Sequence, residues 1–406
     1  MMYLNLVWRN IWRNRRRSAI SMCSVMFAIL IALIMRSMQL GFYEKAIDNI
    51  VSFYTGYIEI HARGYNDEQS IDLSFAASDS LLSAVSHASG VTAVAPRLET
   101  FALVSGDRLT NGAMVIGIDP AVEDSLTGLA ERVSEGRYLT AGDQGILLGN
   151  GLARYLETAV GDTVVVLGQG YHGLTAVGKY PIVGLVTFPT PELDSGMAFV
   201  TLARARDLTG AYGRLTSLAV MLTGQRELVS TAGRLRDALG PRFEVLTWEE
   251  MLPELVQLIQ WDNASGLIML AIVYVVIGFG ILGTVLMMTM ERTREFGMLI
   301  SIGMKRTWLE GIVTLESALL SLVGALAGAL LAIPVIAYFH AHPIHMSGVA
   351  AEVTVQFGFE PIMPFLLAPG LFLNQGLVVL GIALIASLYP ALRIATMDPV
   401  TALRRG

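Results

Sequence analysis

The sequence predicts a membrane α-helical protein: four transmembrane helices, with a large α+β domain inserted between the first and the second. Three observations carry this. The 406 residues are 53% hydrophobic and only 15% charged, against roughly 25% charged in an average soluble domain. Four apolar runs, at 18–40, 263–290, 312–339 and 371–390, each reach the roughly 20 residues that cross a bilayer. Between the first two runs lies 41–262, where short strand and helix patterns alternate. A buried core helix is the alternative for any one run, and four such runs argue against it.

Residues 1–17 carry Leu4, Trp8, Ile11 and Trp12 at helical spacing, with arginines on the other side. This predicts an interfacial amphipathic helix, its Trp side chains at headgroup depth. The first run has no charge from Ser18 to Met35. It is longer than a signal-peptide core and is followed by no small-residue cleavage site, so it reads as an uncleaved anchor. Cys23, the single cysteine, lies inside it and reads as a small buried apolar residue. Past this run, Tyr43, Ala46, Ile47, Ile50 and Tyr54 keep a helical stripe, and Leu252, Leu255, Val256 and Ile259 do the same before the second run. Both helices are expected to continue outward as amphipathic stalks.

Within 41–262, alternation and turn signals predict strands at 57–62, 91–104, 113–118, 163–167, 181–187, 197–201, 217–222 and 243–246. Residues 145–148 lead into a helix expected at 152–156, and further helices are expected at 78–88 and 225–239. The two ends carry the longer helices, and the stretch from about 119 to 213 is rich in strands and glycine. The expected domain therefore has two subdomains: one α+β, made from both ends, and one β-rich, inserted into it.

Basic residues set the topology. Arg9, Arg13, Arg15, Arg16 and Arg17 precede the first span; Arg292, Arg294, Lys305 and Arg306 lie between the second and third; Arg393, Arg404 and Arg405 follow the fourth. All fall on one side, which places both termini and the 291–311 segment in the cytoplasm, and 41–262 and the 340–370 loop outside. The net charge of −6 argues against a nucleic-acid partner.

The segment 291–306 reads ERTREFGMLISIGMKR. Charges stand at its ends, Glu291, Arg292, Thr293, Arg294 and Glu295 on one side and Lys305 with Arg306 on the other, around an apolar centre that holds Gly297 and Gly303. That is more than a connection needs: it has the length and apolar content of a short helix on the membrane face, offering a grip to a partner. Glu291 and Glu295, four apart, share a helix face. The glycines suit a turn or a close backbone approach.

This segment resembles the cytoplasmic loop of a family of ABC-transporter permeases. That family includes the lipoprotein-releasing permeases LolC and LolE, the exporter MacB and the division regulator FtsX. Tyr389-Pro390-Ala391 through Asp398-Pro399-Val400-Thr401-Ala402-Leu403-Arg404 resembles the family's closing motif. The resemblance implies a two-lobed extracytoplasmic domain in the bacterial inner membrane and coupling of 291–306 to a cytoplasmic ABC ATPase. It also implies a second permease copy or paralogue. Cofactors are none of the chain's own, ATP being bound by the ATPase. Motion driven by that ATPase would reach the outer domain, a mode called mechanotransmission. The cargo expected is a lipoprotein released from the inner membrane, with membrane lipids around it. The alternatives are an exporter working with an adaptor, or a non-transporting regulator of a cell-wall hydrolase.

Other patterns are weaker. Gly278, Gly280 and Gly283 fit G-x-G-x-x-G but lie inside an uncharged span, without the strand and acid of a dinucleotide site. They read as helix-packing glycines, as do Gly324 and Gly328 in the third span, a pair expected to face a partner span. His340, His342 and His345 cluster beyond the third span, with no carboxylate or cysteine near them to complete a metal shell. Glu316 lies within the third span, open to a functional role, to snorkelling or to pairing with an arginine. Arg36 is expected to reach the outer interface. No G-x-x-x-x-G-K-[ST] occurs, so the chain is not expected to be an enzyme that hydrolyses ATP.

Overall fold

The computed structural model describes residues 15–51, 55–188, 191–356 and 361–396. Residues 1–14 of the expected interfacial helix, and the closing motif from 398 on, lie outside the described residues. In chain order come helices α1 (Arg15–Ile50), α2 (Asp79–Ser86), α3 (Pro120–Thr127), α4 (Asn150–Leu156), α5 (Leu202–Thr209), α6 (Leu228–Leu239), α7 (Pro253–Glu291), α8 (Thr293–Ser301), α9 (Arg306–Ala341) and α10 (Pro369–Ala395); a helix at Val349–Gln356 and shorter helical turns also occur. The strands of the main sheet are β1 (Ile58–Ala62), β2 (Val91–Ser105), β3 (Thr110–Ile118), β4 (Val133–Gly136), β5 (Ile146–Gly149), β6 (Thr163–Gln169), β7 (Thr175–Val186), β8 (Met197–Thr201), β9 (Ser217–Leu222) and β10 (Phe243–Thr247). The chain divides into two compact units: Met1–Glu44, Leu258–His345 and Met363–Gly406 form one, Lys45–Gln257 and Met346–Ile362 the other.

The first unit is the membrane part. Four helices, α1, α7, α9 and α10, are long and apolar enough to cross a bilayer. They pack around Val25, Ile29 and Leu33 of α1, Ile277, Ile281 and Val285 of α7, Val313, Leu320 and Ala332 of α9, and Val379 and Ala383 of α10. The outward faces are apolar too: Phe279, Leu330, Leu377 and Ile385 are each more than 60% exposed. A helix apolar all round belongs in lipid. Cys23 faces outward rather than into the core, because in lipid a small apolar side chain gains little from burial against protein. Helix α1 runs to Ile50 and α7 starts at Pro253, both beyond the apolar runs at 18–40 and 263–290. Near the end of this unit α1 and α7 are joined by Asp262, which accepts from the Tyr43 hydroxyl at 2.5 Å and the Gln39 amide at 3.1 Å. Arg36 donates to Gln39 at 2.7 Å, so its guanidinium is tied into this network.

The glycines divide into two groups. A Cβ at Gly324 would meet the Met22 carbonyl oxygen at 2.8 Å, and one at Gly328 the Met26 carbonyl oxygen at 2.6 Å. These two let α9 lie directly on α1, so the G-x-x-x-G pair serves a contact inside the chain rather than one with a partner span. Gly280 and Gly283 have nothing within 4 Å, and Gly278 meets only Ile382 at an ordinary 3.4 Å. At these three glycines α7 therefore makes no close approach within this chain.

The second unit is the inserted domain. Its ten strands form one mixed sheet in the order β10-β1-β9-β2-β3-β8-β5-β7-β4, with β6 bridging β2 and β7. Strand β2 is the spine. Its 15 residues span about 50 Å at roughly 3.3 Å each. The first half pairs with β9, from Val91↔Leu222 to Arg97↔Ser217, and the last four residues pair with β6. The two halves feed different cores. Val91 and Val94 pack with Ile60, Leu218, Leu235, Val245 and Trp248. Leu98, Ala102 and Val104 pack with Val115, Leu152, Val166 and Ile182. One long strand thus contributes to both clusters.

Helices α3 and α5 and strand β4 are additions to the predicted elements. Helix α3 has a legible start: the Asp119 side chain accepts from Ala121 and Val122 N–H at 3.1 and 3.4 Å, with Pro120 in the first turn.

Candidate functional site

Helix α7 ends at Glu291, Arg292 forms the corner with φ −94° and ψ 5°, and α8 follows as a separate short helix. The inner face of α8 is set by Phe296, 5% exposed, and by buried Gly297. Phe296 packs in the membrane-unit core beside Val313 and Ile394. The outer face shows Arg294, Met298 (45% exposed) and Ile302 (84% exposed), spaced four apart. A helix ends where its last carbonyls find other donors. Here Met304 N–H donates to Leu299 O and Gly303 N–H to Ile300 O, both at 3.0 Å. Gly303 has φ +100°, the left-handed position that ends a helix with this hydrogen-bond pair and that glycine fills without strain. Lys305, extended, then leads into α9.

The charged residues separate by role. Glu291 and Arg294 are exposed, Glu295 half-buried and Lys305 exposed. Thr293 is half-buried and donates back to Thr289 O at 3.0 Å. Two of the expected grips turn inward instead. Arg292 is 4% exposed, and its Nη1 reaches Glu316 Oε2 at 2.8 Å. Arg306 donates to the carbonyl oxygen of Ala395, at the end of α10. Glu316 therefore pairs with an arginine, one of the three readings open from sequence. The exposed apolar pair Met298 and Ile302 is the part of this surface that a reading based on charges passed over; its four-residue spacing was the signal.

The loop histidines are not gathered. His340 Nδ1 lies 2.6 Å from the Phe365 carbonyl oxygen, and His342 Nδ1 lies 3.3 Å from Tyr338 O on its own helix. Among the described residues, no three His, Cys, Asp or Glu side chains come together as a metal shell.

A second constellation lies in the inserted domain. Arg97 on β2 is 1% exposed and holds Glu123 of α3 through Nε at 3.0 Å and Nη2 at 2.6 Å. Its Nη1 stands 3.7 Å from Glu59 of β1. His61, two residues along β1, contacts Glu59 through Nε2 at 3.0 Å and the Thr216 carbonyl through Nδ1 at 3.1 Å. Its ring stacks on Tyr65 at 4.9 Å. Glu99 accepts from Ser217 Oγ at 2.9 Å and from the Tyr65 hydroxyl at 3.4 Å. Burial drives the Glu99 carboxyl upward, the Glu59 charge adds to this, and His61 and Arg97 only partly oppose it. Burial pulls His61 down, but the hydrogen bond it donates to Glu59 and the charges of Glu59 and Glu99 carry it above its ordinary value.

Comparison with known proteins agrees with this architecture. The family model described as the MacB-like periplasmic core domain matches residues 18–238, and that described as the FtsX-like permease C-terminal matches 267–399. The chain belongs to this family: it is an ABC-transporter permease of the LolC/MacB type. The lipoprotein-releasing system transmembrane protein LolC of Xylella fastidiosa (strain 9a5c) is 25% identical over 77% of this chain and 78% of that protein. LolC of Neisseria meningitidis serogroup B is 23% identical over 95% of this chain and 93% of its own. The macrolide export ATP-binding/permease protein MacB of Agrobacterium fabrum is 20% identical over 99% of this chain but only 60% of itself. The crystal structure of the periplasmic region of MacB from Actinobacillus actinomycetemcomitans aligns with 52% of this chain and 98% of that one. The identity is 16% and the TM-score 0.36, so the fold assignment rests on the family match.

Proposed function

We propose that this chain is the permease subunit through which a cytoplasmic ABC ATPase drives release of a lipoprotein from the bacterial inner membrane. In this reading both termini and α8 face the cytoplasm, the inserted domain faces the periplasm, and a second permease copy or paralogue completes the complex. The observation that carries it is α8. Its inner face is fixed by Phe296 and Gly297 in the helix core, and Arg294, Met298 and Ile302 remain on the outside. A short helix clamped between two spans and showing an apolar, charge-flanked face is built to be pushed by a soluble partner. The lipoprotein cargo is taken from the LolC relatives. The similarity to an export permease over nearly the whole chain supports a second reading, export with an adaptor.

The test is reconstitution with a cytoplasmic ABC ATPase that co-purifies with this permease, in vesicles carrying a triacylated lipoprotein. ATP should release the lipoprotein to a soluble acceptor. Met298→Asp with Ile302→Asp should abolish co-purification of the ATPase while leaving the permease folded. Full ATPase binding by that variant would refute the coupling role of α8, and ATP-driven export of a small molecule without lipoprotein release would select the second reading.

A further inference from the structure

The ion pair Arg292–Glu316 is out of place by ordinary rules. Glu316 stands ten residues beyond Arg306, the first residue of α9, about 15 Å along the helix at 1.5 Å per residue. Its side chain and that of Arg292 are 4% and 5% exposed. Val285, Met288, Thr289, Phe296 and Val313 surround them. Removing two charges from water costs more than a buried pair regularly returns, and an apolar pair of similar volume is often at least as stable. Ionisable groups inside spans are functional candidates for that reason. This pair has one feature that packing could not supply. Arg292 is the corner residue between α7 and α8, so a directional bond from it to α9 joins three helices at one point.

We infer that Arg292 and Glu316 are positioning residues that lock the α7–α8 corner to α9, so that force on α8 moves α7 and α9 as one body. The inference rests on the coupling role proposed for α8. Neither residue touches the ATPase; both act through the helices they join.

The test uses the full permease–ATPase complex reconstituted in vesicles carrying a triacylated lipoprotein. Cys23 is replaced by Ser, and spin labels are placed at Ile268→Cys in α7 and Leu330→Cys in α9, both exposed positions. With the ion pair intact, the label separation should be the same in the nucleotide-free and vanadate-trapped states, while ATP-driven release proceeds. Glu316→Gln breaks the pair but strands a buried guanidinium, which destabilises the fold itself; Arg292→Met with Glu316→Leu removes both charges at similar volume. That double variant should still bind the ATPase. Its label separation should change on vanadate trapping, and release per ATP hydrolysed should fall at least tenfold. Arg292→Glu with Glu316→Arg should restore both readouts towards those of the intact pair, which a purely volumetric role would not do. Unchanged label separation and release in the apolar double variant would overturn the inference and leave the α8 reading standing. No ATPase binding by the unmodified permease would overturn both.

Discussion

Replacing Arg97 by Met removes the one guanidinium from the buried cluster of the inserted domain. Its partners cannot reach water instead: Glu123 is 2% exposed and Glu59 6%. Glu123 loses hydrogen bonds of 3.0 and 2.6 Å, and Glu59, Glu99 and Glu123 are left with His61 as the remaining cationic candidate. Breaking a buried pair by removing one partner costs about 3–5 kcal/mol. For a unit of this size each kcal/mol shifts the midpoint by roughly 2–4 °C, so the expected fall is about 6–20 °C. Thermal unfolding of the purified chain, followed by tryptophan fluorescence, reads it, since Trp248 is buried in the core that β1 and β9 share. Adding Glu123→Leu should recover a large part of the loss, because the pair is then replaced by apolar volume. The penalty of Arg97→Met alone should shrink at lower pH, where the stranded carboxylates take up protons. A fall of less than about 4 °C at neutral pH, or an equal fall in the double variant, would refute the claim that the cluster is held by charge rather than by packing.

The same cluster makes stability depend on pH. His61 and Glu99 are both raised in the fold above their ordinary values of 6.5 and 4.5. Each contributes stability that is complete below its ordinary value and is lost as pH rises through the folded value. The unfolding midpoint of the inserted domain should therefore decline as pH climbs above 6.5, and His61→Gln should flatten that decline; a midpoint that rises over this range would contradict it. Gly328→Leu should destabilise the membrane unit by roughly 1–3 kcal/mol through overpacking against α1. Gly283→Leu, with open space around it, should leave the unfolding of the single chain unchanged, and detergent-solubilised unfolding curves compare the two. Gly303→Ala should cost about 1–2 kcal/mol, because an L side chain is placed at a left-handed position. Faster hydrogen exchange at the Gly303 and Met304 amides would report that loss, and unchanged exchange would contradict it.

The four spans were legible because long apolar runs have one stable home, a bilayer, whatever their neighbours. Most strands of the inserted domain were legible for a similar reason, since period-two alternation reports which side is buried at each residue. Short elements such as α3 and β4 carry too few residues for a period to show. Pattern also could not say which contacts a residue makes once the chain is folded. Gly278, Gly280 and Gly283 look like Gly324 and Gly328 in sequence, yet of these five only Gly324 and Gly328 press against another helix's backbone, because that depends on which face α1 covers. Arg292 and Arg294 look like equal grips two residues apart; the corner between α7 and α8 falls at Arg292, which enters the core to meet Glu316, while Arg294 lies on the outer face of α8. Glu59, His61, Arg97, Glu99 and Glu123 come from two strands and a helix and share no local motif. Sheet pairing alone brings β1 and β2 to either side of β9, and burial then obliges those five side chains to satisfy one another.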